Sequence, residues 1–98
     1  MMKQRLFKMT DIERNMLVKA LFDIRQDIGT GTGEVENLIE RTVHAPGHLY
    51  LNEADFHWTA VSLNSLRSAY LSAGRSSGGI DKVLFKLMNT KYRRVPVR

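Results

Sequence analysis

The segment NEADFHWTAVSLNSLRSAYLSAG, residues 52–74, decides the fold class. It opens with Asn52, a residue suited to cap a helix, and two carboxylates follow in what would be the first turn, where they complement the helix dipole. Residues 56–66 contain no Asp, Glu, Lys or Arg. Apolar residues lie on all sides of such a helix, and His57 and the small polar residues Ser, Thr and Asn lie between them, so the pattern is typical of a helix surrounded by protein. We therefore predict a central helix over 53–73.

Three further segments show the three- and four-residue apolar spacing of a helix with one buried face. Thr10 and Glu13 have the spacing of a capping box at the start of the first of these helices. The glycine-rich run GTGTG, residues 29–33, separates the first from the second, and Pro46 follows the end of the second. The four predicted helices cover residues 10–28, 34–43, 53–73 and 80–91.

These elements predict an all-α fold, a small four-helix domain packed round the uncharged helix. Ninety-eight residues suffice for a single domain with one core, so we assign residues 1–98 to it. HLYL (48–51) and RVPV (94–97) are compatible with a short two-stranded extended pair. The ends, residues 1–9 and 92–98, are predicted to be short basic arms.

The composition restricts the class of protein. An apolar fraction of 43% with 26% charged residues is ordinary for a globular chain. The absence of cysteine excludes disulfides and thiolate metal sites and fits the cytoplasm, and no apolar run approaches the ~18 residues of a membrane span. A domain of this size buries only about 60–65% of its unfolded surface. Burial against another chain would stabilise it, so we include a homodimer among the expected partners.

The net charge of +5 is unevenly distributed. Residues 1–10 carry three cations and no acid, whereas residues 34–57 carry five acids against Arg41 alone. Residues 58–98 carry eight cations against Asp81 alone. Basic ends and an acidic middle indicate an electrostatic partner, but they do not determine the fold.

Metal-binding and catalytic patterns are weak. The side chains of metal-ligating type in the middle of the chain are His44, His48, His57, Glu53 and Asp55. Pro46 and Gly47 prevent His44 and His48 from sharing a helix face, as a paired zinc motif requires. The GTGTG loop lacks the lysine of a phosphate-binding loop, and there is no cysteine nucleophile. We therefore predict a non-enzymatic protein with no cofactor, no catalytic residues and no metal site.

The strongest functional pattern is the basic final third. If the apolar stripe of the last helix faces the core, its lysines face water, and a basic helix continues into a basic arm. Tyr50, Trp58, Tyr70 and Tyr92 would stack on bases if they were exposed. Trp58 lies in the uncharged segment, so we predict that it is buried in the core. Tyr92 stands between Lys91 and Arg93, within the basic run. The residues predicted to contact nucleic acid are Arg75, Lys82, Lys86, Lys91, Tyr92, Arg93, Arg94 and Arg98.

Two alternatives stay open at the level of sequence. Lysines late in a helix also suit the negative end of its dipole, so the basic end would then serve only solubility and helix stability. Alternatively, the chain is a protein-binding module or inhibitor that docks on another protein through its charge-polarised surface. Our leading hypothesis is a small cytoplasmic accessory or regulatory protein that touches nucleic acid. The break at residues 74–79 is too long for a helix–turn–helix, so general phosphate contact is favoured over base reading.

Overall fold

The computed structural model describes residues 3–29 and 33–95, and within them the chain forms four helices and three strands. The four predicted helices are confirmed, although α4 ends earlier than predicted because the chain continues into a strand. The elements follow in the order β1 (Lys3–Lys8), α1 (Asp11–Ile28), α2 (Gly33–Val43), β2 (His48–Leu51), α3 (Glu53–Ser72), α4 (Gly78–Met88) and β3 (Lys91–Arg94).

The all-α prediction is wrong, because the strands form an antiparallel sheet with the order β2-β1-β3. The fold is mainly helical α+β. HLYL is extended as predicted, but it pairs with β1, and residues 96–97 of RVPV lie outside the described residues. The segment 3–8, predicted as part of a basic arm, is the central strand. Arg5 lies opposite both Leu51 and Tyr92, so β1 depends on partners far away in sequence and has little local signal.

Two capping boxes fix where α1 and α3 begin. Thr10 Oγ1 accepts a hydrogen bond from the Glu13 amide at 3.2 Å, and Glu13 Oε1 accepts one from the Thr10 amide at 2.9 Å. Asn52 and Asp55 form the same reciprocal pair, at 2.8 and 3.1 Å. Each box satisfies two amide groups that a helix start otherwise leaves unpaired. The predicted caps at Thr10 and Asn52 are confirmed.

Helix α3 has the central position that its uncharged sequence predicts, since it packs against α1, α2 and α4. Trp58, predicted to be buried, is only half-buried: it packs against the core, and its Nε1 donates to Glu34 Oε2 at 3.4 Å. None of the helices in the described ranges has the length and apolarity needed to cross a bilayer.

The core lies between the helices and one face of the sheet. Its largest fully buried side chains come from every helix and from two strands: Phe7, Leu17, Leu21, Leu38, Leu51, Leu63, Ile80 and Leu87. The core covers this inner face, whereas the ends of α2 and α4 border the opposite face of the sheet.

Candidate functional site on the outer face of the sheet

The two faces of the sheet differ in composition. Residues opposite each other in an antiparallel pair share a face, and residues two apart along a strand do so as well. The inner face, which meets the helices, therefore carries Arg5, Phe7, Leu49, Leu51 and Tyr92. The outer face carries Gln4, Leu6, Lys8, His48, Tyr50, Lys91 and Arg93.

On the inner face, Arg5 lies between two aromatic rings. Its guanidinium carbon is 4.1 Å from the centre of the Phe56 ring and 4.8 Å from that of Tyr92. The Tyr92 hydroxyl donates to Glu53, and this hydrogen bond, aided by burial, raises the pKa of Tyr92 above its ordinary value. Tyr92 is thus held towards the start of α3, on the opposite side of β3 from Lys91 and Arg93.

On the outer face, a groove of about 370 Å³ runs between β1, β3 and the end of α4. We call it the cationic groove and define it by Lys8, Lys86, Lys91 and Arg93. Leu6, Phe7, Asn89 and Thr90 complete its described lining, which contains no Asp or Glu. Four positive charges from three elements therefore share one concave surface.

Local structure positions each cation of the groove. Lys91 and Arg93 are two residues apart on β3, so both side chains lie on the outer face. Asn89 and Thr90 end α4 by donating side-chain hydrogen bonds to the carbonyls of Phe85 and Leu87, each at 2.7 Å, and so set the turn that leads into β3. Lys8 is the last residue of β1.

Lys86, in the last turn of α4, is the one cation of the groove with an acidic partner among the described residues. Its Nζ lies 2.5 Å from Glu13 Oε1 on α1. Burial raises the pKa of Glu13, but hydrogen bonds from Lys86 and Thr10 outweigh it, so the pKa of this carboxyl lies below its ordinary value. Glu13 therefore stays ionised at neutral pH and offsets part of the Lys86 charge.

The structure brings three of the predicted residues together in the groove: Lys86, Lys91 and Arg93. Lys82 is exposed one helical turn before Lys86 and extends the basic surface along α4. Arg94 is exposed opposite Lys3 and falls on the Tyr92 side of β3.

Among the described residues, Arg75 also lies outside this cluster, as Tyr92 and Arg94 do. Arg75 lies in the loop before α4, at the end of that helix opposite to β3. Its guanidinium carbon is 4.4 Å from the centre of the Tyr70 ring. Arg98 lies outside the described residues.

A second groove, also about 370 Å³, borders β2 on the outer face. Its lining residues are Gln4, Arg41, His44, Ala45, Pro46, His48, Leu49 and Tyr50. The His48 ring meets the Tyr50 ring edge-on, with centres 5.7 Å apart. We call this second groove the aromatic groove. Tyr50 lies opposite Leu6, and Leu6 lies opposite Lys91, so one row across the sheet joins the aromatic groove to the cationic groove.

Sequence reasoning did not identify Lys8, and it named Tyr50 as a residue that could stack on bases without including it among the predicted contact residues. For Tyr50 a signal exists: in HLYL, His48 and Tyr50 alternate with two leucines, which predicts one apolar face and one polar face. For Lys8 there is no comparable local signal, because its place depends on β1 being the central strand.

The histidines do not form a metal centre in the part of the chain that is described. His44 and His48 line the aromatic groove, whereas His57 lies on α3 with its ring centre 5.4 Å from that of Trp58. No group of three His, Asp or Glu side chains within residues 3–29 and 33–95 is arranged to hold a metal ion.

Comparison of the chain with protein-family models, with curated proteins and with solved structures gives no match. Function is therefore inferred from the geometry of the two grooves.

Proposed function

We propose that this chain is a small, non-enzymatic accessory or regulatory protein that contacts nucleic acid through the cationic groove. The observation that supports this proposal is the convergence of Lys8, Lys86, Lys91 and Arg93 on one concave surface whose described lining has no carboxylate. Like charges gathered in this way create a strong local potential for a polyanion. A cytoplasmic location, favoured by the lack of cysteine, is part of the same proposal.

The mode of contact follows from the residue types. Lysine ammonium groups act as point charges for phosphate, while the planar guanidinium of Arg93 can donate two parallel hydrogen bonds to one phosphate. None of Lys8, Lys91 and Arg93 has an ion-pair partner among the described residues. Each cation that neutralises a phosphate contributes about 0.7 to 0.9 to the slope of log affinity against log salt. Three such contacts give a slope of about 2 to 3.

The test is binding of a fluorescein-labelled oligonucleotide of arbitrary sequence, followed by anisotropy between 25 and 300 mM salt, roughly the range over which counterion release dominates. Lys91→Gln with Arg93→Gln removes two charges from the groove. The control, Lys19→Gln with Arg67→Gln, removes two charges from other surfaces, where Lys19 pairs with Asp23 and Arg67 with Asp81.

We expect the groove variant to lose about tenfold in affinity at low salt and about 1.4 to 1.8 in salt slope. The control should keep its affinity within about threefold, because neither Lys19 nor Arg67 lines the groove. Loss of two exposed ion pairs should also change the stability of the fold only slightly. Absence of wild-type binding at the lowest salt, or equal losses in both variants, would contradict the proposal.

Docking on another protein is the alternative function, and one observation favours it. Phe85 and Met88, neighbours on one side of α4, are 73% and 53% exposed. Exposed apolar side chains of this size on a small domain are typical of an interaction surface. Under this alternative the protein has no affinity for oligonucleotides, co-purifies with a stoichiometric partner, and loses that partner on Phe85→Ser with Met88→Ser.

A further inference from the structure

The outer face of the sheet combines three kinds of side chain in a single row. Tyr50, Leu6 and Lys91 lie side by side on β2, β1 and β3. The row therefore changes from aromatic to aliphatic to cationic across the sheet. His48, Lys8 and Arg93 lie on the same face, above and below this row.

Tyr50 is held in a defined place on this face. It is half-buried, it meets His48 edge-on, and its carbonyl accepts a hydrogen bond from Arg41 Nη1 at 3.4 Å. The Arg41 hydrogen bond holds the Tyr50 backbone and the His48 contact restricts the ring, so stacking of a flat ligand costs less conformational entropy than it would on a free side chain. Tyr50 also borders the aromatic groove, so the space beside the ring is open.

We propose that the outer face of the sheet binds single-stranded nucleic acid, with an unpaired base stacked on Tyr50 and backbone phosphates in the cationic groove. This inference rests on the function proposed above and names its ligand class.

The dimensions of the sheet suit this ligand. Two strand spacings of about 4.8 Å separate β2 from β3, so Tyr50 and Lys91 are anchored about 10 Å apart. At about 3.4 Å per nucleotide, that distance corresponds to roughly three nucleotides of a stacked strand. One short segment can therefore reach both the aromatic ring and the cations.

Base pairing distinguishes a single strand from a duplex at this surface. In a duplex each base is already stacked and paired, so its face is not available to Tyr50, and only the phosphates can meet the groove. A single strand presents both its backbone and the faces of its bases. In the row from Tyr50 to Lys91, the Tyr50 ring complements the face of a base and the Lys91 ammonium complements the phosphate backbone.

The experiment compares a labelled dT20 strand with the same strand paired to dA20, at one low salt concentration and then across a salt series. Tyr50→Leu removes the aromatic ring but keeps an apolar side chain on β2, and Tyr50→Phe keeps the ring. Tyr70→Leu, which replaces a partly buried tyrosine on α3 beside Arg75, is the matched control. Circular dichroism melts confirm that each variant is folded.

We expect wild type to bind the single strand at least tenfold more tightly than the duplex. Tyr50→Leu should lose about 5- to 100-fold for the single strand, in line with one stacked base, with an unchanged salt slope. Tyr50→Phe and Tyr70→Leu should bind as wild type.

Two results would overturn the inference in different ways. Equal affinity for strand and duplex, with no effect of Tyr50→Leu but a loss on Lys91→Gln with Arg93→Gln, would leave the proposed function standing and refute the stacking site. Lack of binding to either oligonucleotide at low salt would refute both proposals.

Discussion

The Nζ atom of Lys86 lies 2.5 Å from Oε1 of Glu13, so the last turn of α4 is joined to the first turn of α1. The same carboxylate oxygen accepts the amide of Thr10 at 2.9 Å. The Glu13 carboxylate thus caps the start of α1 and also offsets the positive charge of Lys86 at the cationic groove. Helix stability and the charge of the groove are therefore coupled.

Glu13→Gln should raise the affinity for nucleic acid. Glutamine retains the capping box, since it also accepts the Thr10 amide, while Lys86 is released to contact phosphate. We expect a gain of about three- to tenfold at low salt and an increase of about 0.7 to 0.9 in salt slope. Asp11→Asn is the control, because it changes the net charge equally in the same helical turn, and within residues 3–29 and 33–95 the ion-pair partner of Asp11 is Arg14, at 3.8 Å. Equal gains in both variants would mean that net charge alone is responsible.

Stability in acid should depend on Glu13. Its folded-state pKa lies below the ordinary value of 4.5, so its contribution is fully present above pH 4.5 and is lost as the pH falls through the folded pKa. We expect Glu13→Gln to cost about 1 kcal/mol at pH 7, and its urea midpoint should fall less steeply than that of wild type below pH 4.5. An identical acid profile in the two proteins would contradict this role.

Arg5 should contribute to stability through its two aromatic neighbours rather than through an ion pair. Arg5→Ala removes the contacts with Phe56 and Tyr92 and the 3.4 Å hydrogen bond to the Thr90 carbonyl. We expect a loss of about 1 to 2 kcal/mol in the free energy of unfolding. Lys3→Ala, an exposed cation on the same strand, should cost less than about 0.5 kcal/mol. Urea unfolding of the two variants checks the difference.

Two apolar residues of α4 should differ sharply in their importance for stability. Leu87 is fully buried, so Leu87→Ala leaves a cavity and should cost about 2 to 5 kcal/mol. Phe85 is 73% exposed, so Phe85→Ala should change the free energy of unfolding by less than about 0.5 kcal/mol. A large loss on Phe85→Ala would show that this ring is covered in solution, as self-association would require.

The helices were predictable because their signals are local. Thr10 and Glu13 form the capping box that their spacing predicts. Asn52 caps α3 as predicted, and Asp55, predicted only to complement the helix dipole, completes a second box with it. The uncharged run of α3 likewise predicts its central position.

The extended HLYL segment was predictable, but the sheet as a whole was not, because its central strand β1 departs from the alternation expected of a half-buried strand. A half-buried strand is expected to place apolar side chains towards the core and charged side chains towards solvent. Here the charged Arg5 faces the helices and the apolar Leu6 faces outwards. Arg5 is accommodated there by residues far away in sequence: Phe56 and Tyr92 provide rings for its guanidinium, and the Thr90 carbonyl accepts a hydrogen bond from it.

The candidate site was predictable only where its residues are close to one another in sequence. Lys91 and Arg93 are two residues apart and share a face in any extended structure, so their grouping is local. Lys8 joins them only through the pairing of β1 with β3, and Tyr92 leaves them because Arg5 and Glu53 hold it on the inner side. Composition indicated a basic surface, and tertiary pairing determined which side chains form it.

The most direct test of the cationic groove is a titration of the ¹⁵N-labelled protein with dT20, followed by backbone amide chemical shifts at low salt. We predict that the largest shift changes fall on the residues round the groove and the sheet face, from Leu6 to Lys8, at His48 and Tyr50, and from Lys86 to Arg93. Changes confined to α2 and the exposed surface of α3, or no change at all, would contradict the account.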